Sequence, residues 1–111
     1  MIKQSEIELD VHTHTIASGH AYSTLQEMAK AASEKELNLL GITEHVCDSS
    51  SGLGGWNYFR NLRVVPRRMY GIELMLGAEI NILNSNGCLD MDDELMSQID
   101  LRIAGIHLGY Y

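Results

Sequence analysis

No run of about 18 apolar residues occurs in this 111-residue chain, which excludes a membrane-spanning helix. The first residues, Met1 to Glu6, reach charge at once and show no apolar signal core, so the sequence predicts a cytoplasmic protein. Cysteine is scarce: Cys47 and Cys88 stand far apart, form no CxxC pattern and read as two reduced thiols. Cys47 follows His45 closely but is assigned no role. Basic residues are also few, eight against fifteen acids for a formal charge of −7. That deficit argues against broad, phosphate-tracking nucleic-acid binding. It leaves room for an anionic substrate, because bound cations reverse the field inside a site. No residue-level repeat, low-complexity segment or linker interrupts the chain, so at most one domain with a modest core is expected. Apolar content of 45% with 21% charged residues is ordinary for a globular protein.

Strand and helix signals alternate along the chain. Ile7, Leu9 and Val11 alternate with Glu6, Glu8 and Asp10, predicting a strand over Glu6 to His12. A loop of small residues, Thr15 to Ser23, then carries His20. Thr24 and Glu27 have capping-box spacing, and Leu25, Met28, Ala29 and Ala32 form a helical stripe whose role is packing. Leu39 to Thr43 reads as a short strand buried on both faces, ending in Glu44-His45. Val46 to Gly55 is a polar, glycine-rich loop, followed by a helical stretch over Trp56 to Val65 that Pro66 breaks or redirects. Ile72 to Leu83 holds the third strand, Asn84 to Gly87 a turn suited to positive φ, and Asp92 or Asp93 caps a short helix through Gln98. The fourth strand, Asp100 to Ile106, runs straight into His107. Strand-to-strand spacing of roughly 30 residues matches βα units.

Arg60, Arg63, Arg67 and Arg68 make up half of the eight basic residues. A solvated helix face is the first reading of this cluster, and a substrate-phosphate contact the second.

The histidines carry the functional argument. His12 and His14 sit at i and i+2 where a strand ends, so both point to one face. Two imidazoles converging there suit a transition metal better than a core. Each of the four strands ends in ligand types: His12 and His14, then His45, then Glu79, then His107. All five histidines lie at these exits or in the first loop. A charged Glu79 inside so apolar a run must face a cation or a hydrogen-bonding cluster. Parallel βα strands bring their C-terminal ends to one face, where active sites are built. Imidazole with carboxylate suits zinc, manganese or iron, and Glu79 could bridge two ions. Asp10 is a candidate acceptor for a neighbouring imidazole, or a plain polar strand position.

Five ordered motifs, Asp10-x-His12-x-His14, Ala17 to Thr24 with His20, Thr43-Glu44-His45, Gly77-Ala78-Glu79-Ile80-Asn81 and Ala104-Gly105-Ile106-His107, together resemble the PHP (polymerase and histidinol phosphatase) domain. The first loop and the Glu-x-Asn segment look most like its YcdX-type phosphatases. The resemblance covers nearly all of the chain from Ile7. It implies an α/β fold, a distorted (βα)7 TIM-like barrel with parallel strands, holding up to three ions and hydrolysing phosphate monoesters with metal-activated water. By position, His12 and His14 would hold one ion and Glu79 would bridge it to a second, which His107 joins. His20 and His45 would hold the third. Glu44 departs from the Asp commoner before that histidine, which bears on how the neighbouring ligands are held. The family's domains run to roughly twice this length, and a closed βα barrel needs roughly 200 residues. Residues 1–111 are therefore expected to be the N-terminal part of a single PHP domain, with activity complete only in a longer protein.

The expected partner is a small phosphorylated substrate, with no membrane, and nucleic acid only as short oligonucleotides. Three alternatives stay open: a non-catalytic metal-binding or assembly domain, a PHP-type nuclease acting on short oligonucleotides, and a half-barrel completed by homo-oligomerisation.

Overall fold

A helix or a long loop separates each major strand from the next, and such crossovers return the chain to the same end of the sheet. The computed structural model describes residues 6–47 and 55–111. The reading of the first five residues, and most of the Val46 to Gly55 loop, lie outside the described residues. In chain order the elements are β1 (Leu9–Thr13), α1 (Leu25–Glu34), β2 (Leu39–His45), α2 (Trp56–Arg60), β3 (Arg68–Met69), β4 (Ile72–Asn81), α3 (Asp93–Gln98) and β5 (Leu101–Gly105). β1 pairs with β2, β2 with β4 and β4 with β5, all parallel. The result is a parallel α/β sheet that curls into part of a barrel.

Local chemistry explains the helix boundaries. Thr24 caps α1 through a full capping box: its hydroxyl accepts the Glu27 N–H at 3.2 Å, and Glu27 Oε1 accepts the Thr24 N–H at 2.9 Å. Hydrogen bonding from Thr24, first its backbone N–H and then its side chain, holds the Glu27 carboxyl below its ordinary pKa. Asp92 caps α3 by accepting the Leu95 N–H at 2.8 Å. At the turn after β4, Asn84 Oδ1 accepts two backbone N–H groups and Gly87 takes φ 80°.

Three expectations need correction. β1 starts at Leu9 rather than Glu6, and Leu9 is exposed, because this strand has the covered sheet on one side only. The helix expected through Val65 stops at Arg60 and continues as a 3₁₀ turn, Asn61–Val64. A fifth strand, β3, pairs antiparallel with β4 through a tight turn at Tyr70 and Gly71, both at positive φ. Tyr-Gly is a weak hairpin signal beside Asn-Gly, and a two-residue strand has no readable alternation.

The core lies between the sheet and its helices. Leu40 and Ile42 of β2 and Leu74, Leu76, Ala78 and Ile80 of β4 are buried against Ala29, Ala32, Phe59, Leu62, Leu95 and Ile99. Alternation then puts Gly41, Thr43 and His45, with Gly77 and Glu79, on the other, concave face. That face is tightly curved. A Cβ on Gly41 would lie 2.7 Å from Val11 Cα and 3.0 Å from Leu101 Cδ2, and one on Gly77 would lie 1.8 Å from the Leu101 carbonyl oxygen. Two glycines thus permit the curl that gathers the strand ends. No described helix is long and apolar enough to cross a membrane. Cys47 is partly buried and Cys88 exposed.

Candidate metal centre

Glu79 is the hub. Its position on β4 puts it beside His45 of β2 and Ile103 of β5, at the strand ends. Only 7% of the residue is exposed. Four imidazole nitrogens approach its carboxylate: His12 Nε2 and His14 Nε2 each lie 3.0 Å from Oε2, His45 Nε2 3.5 Å from Oε2, and His107 Nε2 3.0 Å from Oε1. His20 joins through ring contacts, 5.0 Å from His14 and 4.8 Å from His45 between centroids. His14 and His45 stack face to face at 4.4 Å, 4° from parallel. All six residues singled out by sequence therefore meet in one cluster.

Three groups within it have ligand atoms that all lie within 4.8 Å of one another: His12, His14 and Glu79; His45, Glu79 and His107; and His14, His20 and His45. The sequence grouping is thus extended. His45 also reaches the Glu79–His107 pair, and His14 also reaches the His20–His45 pair. Geometry adds a local device at β1: its register against β2 shifts between Asp10 and Thr13. Such an irregularity bends a strand and re-aims its side chains.

The electrostatics favour neutral imidazoles at His14 and His45, beside a charged carboxylate. Burial lowers the pKa of His14 and of His45, and the neighbouring histidines add to that, against the pull of Glu79. Burial is also the largest single influence on Glu79 and acts to raise its pKa. When the rings are protonated, hydrogen bonds from His12 and His107 and the charges of His45 and His12 together outweigh it, and the carboxyl is held below its ordinary range.

Glu44, which the sequence analysis connected with how the ligands are held, and three residues without an assigned role, Ser18, Asn81 and Asp90, support the cluster. Glu44 is 1% exposed. Its carboxylate accepts the Thr15 N–H at 2.8 Å, the Thr15 hydroxyl, the Ser18 hydroxyl at 2.8 Å and the Tyr58 hydroxyl at 3.4 Å. Burial, reinforced by Glu44, pushes the Tyr58 phenol well up. Ser18 Oγ in turn meets the His45 N–H at 2.9 Å and His14 Nδ1 at 3.1 Å. On the other side, Asn81 Oδ1 lies 2.6 Å from His107 Nδ1, and Asp90 binds both the backbone and the side-chain N–H of Asn81. Asn81 was findable: it is a polar side chain in an apolar strand, as Glu79 is. Ser18 ends a three-residue 3₁₀ turn, Ile16–Ser18, and Asp90 lies in a loop, neither with a periodicity to mark it. Asp10 does something simpler than expected. Its Oδ1 accepts the His12 backbone N–H at 3.2 Å rather than an imidazole.

Three of the four arginines have partners outside the cluster. Arg67 binds Asp100 at 2.6 Å and donates to the carbonyls of Leu62 and Val65, while Arg68 donates to the Gly71 carbonyl and faces Glu73. Arg60 lies over the Trp56 ring and donates to Asn57. Neither Arg67 nor Arg68 is on a helix, so the solvated helix face expected for all four is corrected for these two. A cleft of about 290 Å³ opens beside the cluster, lined among others by Ser18, His20, His45, Cys47, Asn81 and His107. A larger groove of about 800 Å³ lies between Leu25 and the Asn57 to Val65 stretch. It contains neither a histidine nor a carboxylate but is lined by Arg60 and Arg63, so the smaller cleft is the one that opens on the candidate metal-ligand cluster.

Comparison with known proteins shows which family the chain belongs to. The PHP domain family matches residues 10–108. A probable phosphatase of Clostridium novyi is 46% identical over 99 residues, which cover 89% of this chain and 40% of that protein. A probable phosphatase of Acetivibrio thermocellus is also 46% identical over 99 residues, 41% of its length. One from Vibrio campbellii is 40% identical over 102 residues, again 40% of its length. The chain thus spans about two-fifths of the relatives it matches. With nearly every residue inside the family match and the histidines gathered at the strand ends, this chain belongs to the PHP domain family.

Proposed function

We propose that this chain carries part of the active site of a metal-dependent phosphoesterase that hydrolyses phosphate monoesters at a multinuclear centre. The observation that carries the reading is the single Glu79 carboxylate shared by two of three potential metal-binding triads. The donor set fits such ions. Imidazoles with one carboxylate suit zinc, manganese or iron, and two of the histidines meet protein partners at Nδ1, as metal-binding histidines generally do.

His12, His14 and Glu79 would hold one ion, Glu79, His107 and His45 a second, and His14, His20 and His45 a third, neighbouring sites sharing ligands. When bound, such ions acidify water near neutral pH and offset charge on phosphoryl oxygens. The chain's own residues do the rest. Glu79 as bridge and His107 beside it form the catalytic face of the cluster, and the cleft lined by Ser18, Asn81 and His107 gives a small phosphorylated substrate access. The probable-phosphatase relatives support this class of reaction, and their greater length supports residues 1–111 being part of a larger PHP domain, with the N-terminal assignment belonging to the same proposal. The YcdX-type subgroup and a cytoplasmic location belong to the same proposal.

The test is metal analysis with hydrolysis of p-nitrophenyl phosphate, by this chain and by a polypeptide of the relatives' length. Bound zinc, manganese or iron with chelator-sensitive turnover in the longer protein is expected. Metal-free protein with undiminished turnover overturns the reading. Metal bound without turnover in either length favours a non-catalytic metal-binding or assembly role, and preferential cleavage of short oligonucleotides favours a nuclease.

A further inference from the structure

Two chains of hydrogen bonds run from buried or half-buried carboxylates to histidines of the cluster, and counting hydrogens along them gives a definite result. A serine hydroxyl has one hydrogen to give and two lone pairs to receive. Glu44 Oε1 already accepts the Thr15 N–H, so the Ser18 hydroxyl donates its hydrogen to that carboxylate at 2.8 Å. One Oγ lone pair receives the His45 N–H at 2.9 Å. What remains for His14 Nδ1, at 3.1 Å, is a lone pair, so Nδ1 must carry the hydrogen.

The second chain gives the same answer. The two hydrogens of the Asn81 amide go to the Val46 carbonyl at 2.9 Å and to Asp90 Oδ2 at 2.6 Å. A reversed amide would set its oxygen against both acceptors. Asp90 Oδ1 also takes the Asn81 backbone N–H at 2.9 Å, which fixes the pair. Asn81 Oδ1 is thereby left facing His107 Nδ1 at 2.6 Å, and that nitrogen too must donate.

We infer that the relays Glu44–Ser18–His14 and Asp90–Asn81–His107 lock both imidazoles in the Nδ1–H tautomer. Free imidazole side chains prefer the opposite, Nε2–H form. The consequence lies at the hub. With both rings neutral, their Nε2 lone pairs are turned toward Glu79, at 3.0 Å from Oε2 and from Oε1. Acceptor faces acceptor, an arrangement that a cation between them makes attractive. Ser18, Glu44, Asn81 and Asp90 are positioning residues in this scheme. The consequence rests on the metal-site reading, whereas the tautomers do not.

The experiment is long-range ¹H–¹⁵N correlation NMR of the histidine rings in metal-free protein at alkaline pH, followed by zinc titration. Wild type is expected to show His14 and His107 as Nδ1–H. Ser18→Ala should move His14 toward Nε2–H and leave His107 unchanged, with Ser18→Thr restoring it. Asp90→Asn replaces an acceptor by a donor and should release His107 while leaving His14 unchanged. Each of the two disrupting variants should weaken zinc binding roughly 10–100-fold. Nε2–H tautomers in wild type, or variants that shift both histidines alike, overturn the relays. Nδ1–H tautomers in a wild type that binds no zinc uphold the relays and overturn the metal-site reading instead.

Discussion

His45 and Glu79 are ladder partners on β2 and β4, and their side chains meet with His45 Nε2 3.5 Å from Glu79 Oε2. The pairing register of two buried strands therefore sets the centre of the cluster. Glu79→Gln keeps the shape and removes the charge. Metal content should fall, with affinity reduced by more than the roughly 10–100-fold typical of residues behind the ligands. Elemental analysis with circular dichroism checks this, since unfolded protein would point to a structural metal instead. Unchanged metal content in folded E79Q would remove Glu79 from the centre.

Gly77 has no room for a side chain. A methyl group there would meet the Leu101 carbonyl oxygen at 1.8 Å, and a backbone atom cannot rotate aside. Gly77→Ala should part β4 from β5 and cost about 3 kcal/mol or more, the upper end for overpacking. Urea unfolding of wild type and variant measures it. A midpoint within error of wild type contradicts the close approach of the two strands.

Acid should weaken the fold and the cluster together. Burial lowers the pKa of His14 and His45 in the folded chain, whereas the unfolded chain titrates them near the ordinary 6.5. Below about pH 6.5 the unfolded state therefore binds more protons, and stability falls as pH falls. Glu79, held below its ordinary pKa, acts in the same direction at lower pH. Urea midpoints of chelator-treated protein between pH 7.5 and 5 (roughly the span in which histidines titrate) should decrease steadily. Bound metal should be lost over the same span, because ligand imidazoles must be neutral. A midpoint that rises on acidification contradicts the lowered pKa of these two histidines.

Arg67 is a staple for the fold, not a phosphate ligand. Its guanidinium joins Asp100, whose Oδ2 also accepts the Leu76 N–H, to the carbonyls of Leu62 and Val65. Arg67→Lys cannot reproduce that planar fork. It should lower stability by about 1 kcal/mol, the scale of one net hydrogen bond. In the longer protein it should leave KM for p-nitrophenyl phosphate within about twofold, a difference of about 0.4 kcal/mol. A large rise in KM without loss of stability would restore the phosphate-binding reading.

Much of the site was legible before the fold. His12, His14, His45, Glu79 and His107 all stand at the ends of apolar runs, and period-2 and period-3.6 patterns located those runs to within a few residues. The capping box at Thr24 and the Asp92 cap were readable for the same reason: both are local chemistry. β3 was not, being two residues long. Nor was the role of Arg67, since its partner Asp100 is 33 residues away in the chain. Between the two readings open for Asp10, an imidazole acceptor or a plain polar strand position, the local bond to the His12 backbone agrees with the second.

The sequence by itself determined the chemistry available: which donors exist, that they cluster at strand exits, and that a buried glutamate needs partners. Periodicity carries that information because burial selects residue types one position at a time. Only the tertiary structure decided how the donors are shared. The curl permitted by Gly41 and Gly77 brings His14 and His45 into stacking contact, and each then serves two triads rather than one. It also decided which nitrogen each relay presents, through Ser18 and Asn81. Sheet curvature and hydrogen-bond direction are properties of several segments at once, and no single stretch of chain encodes them.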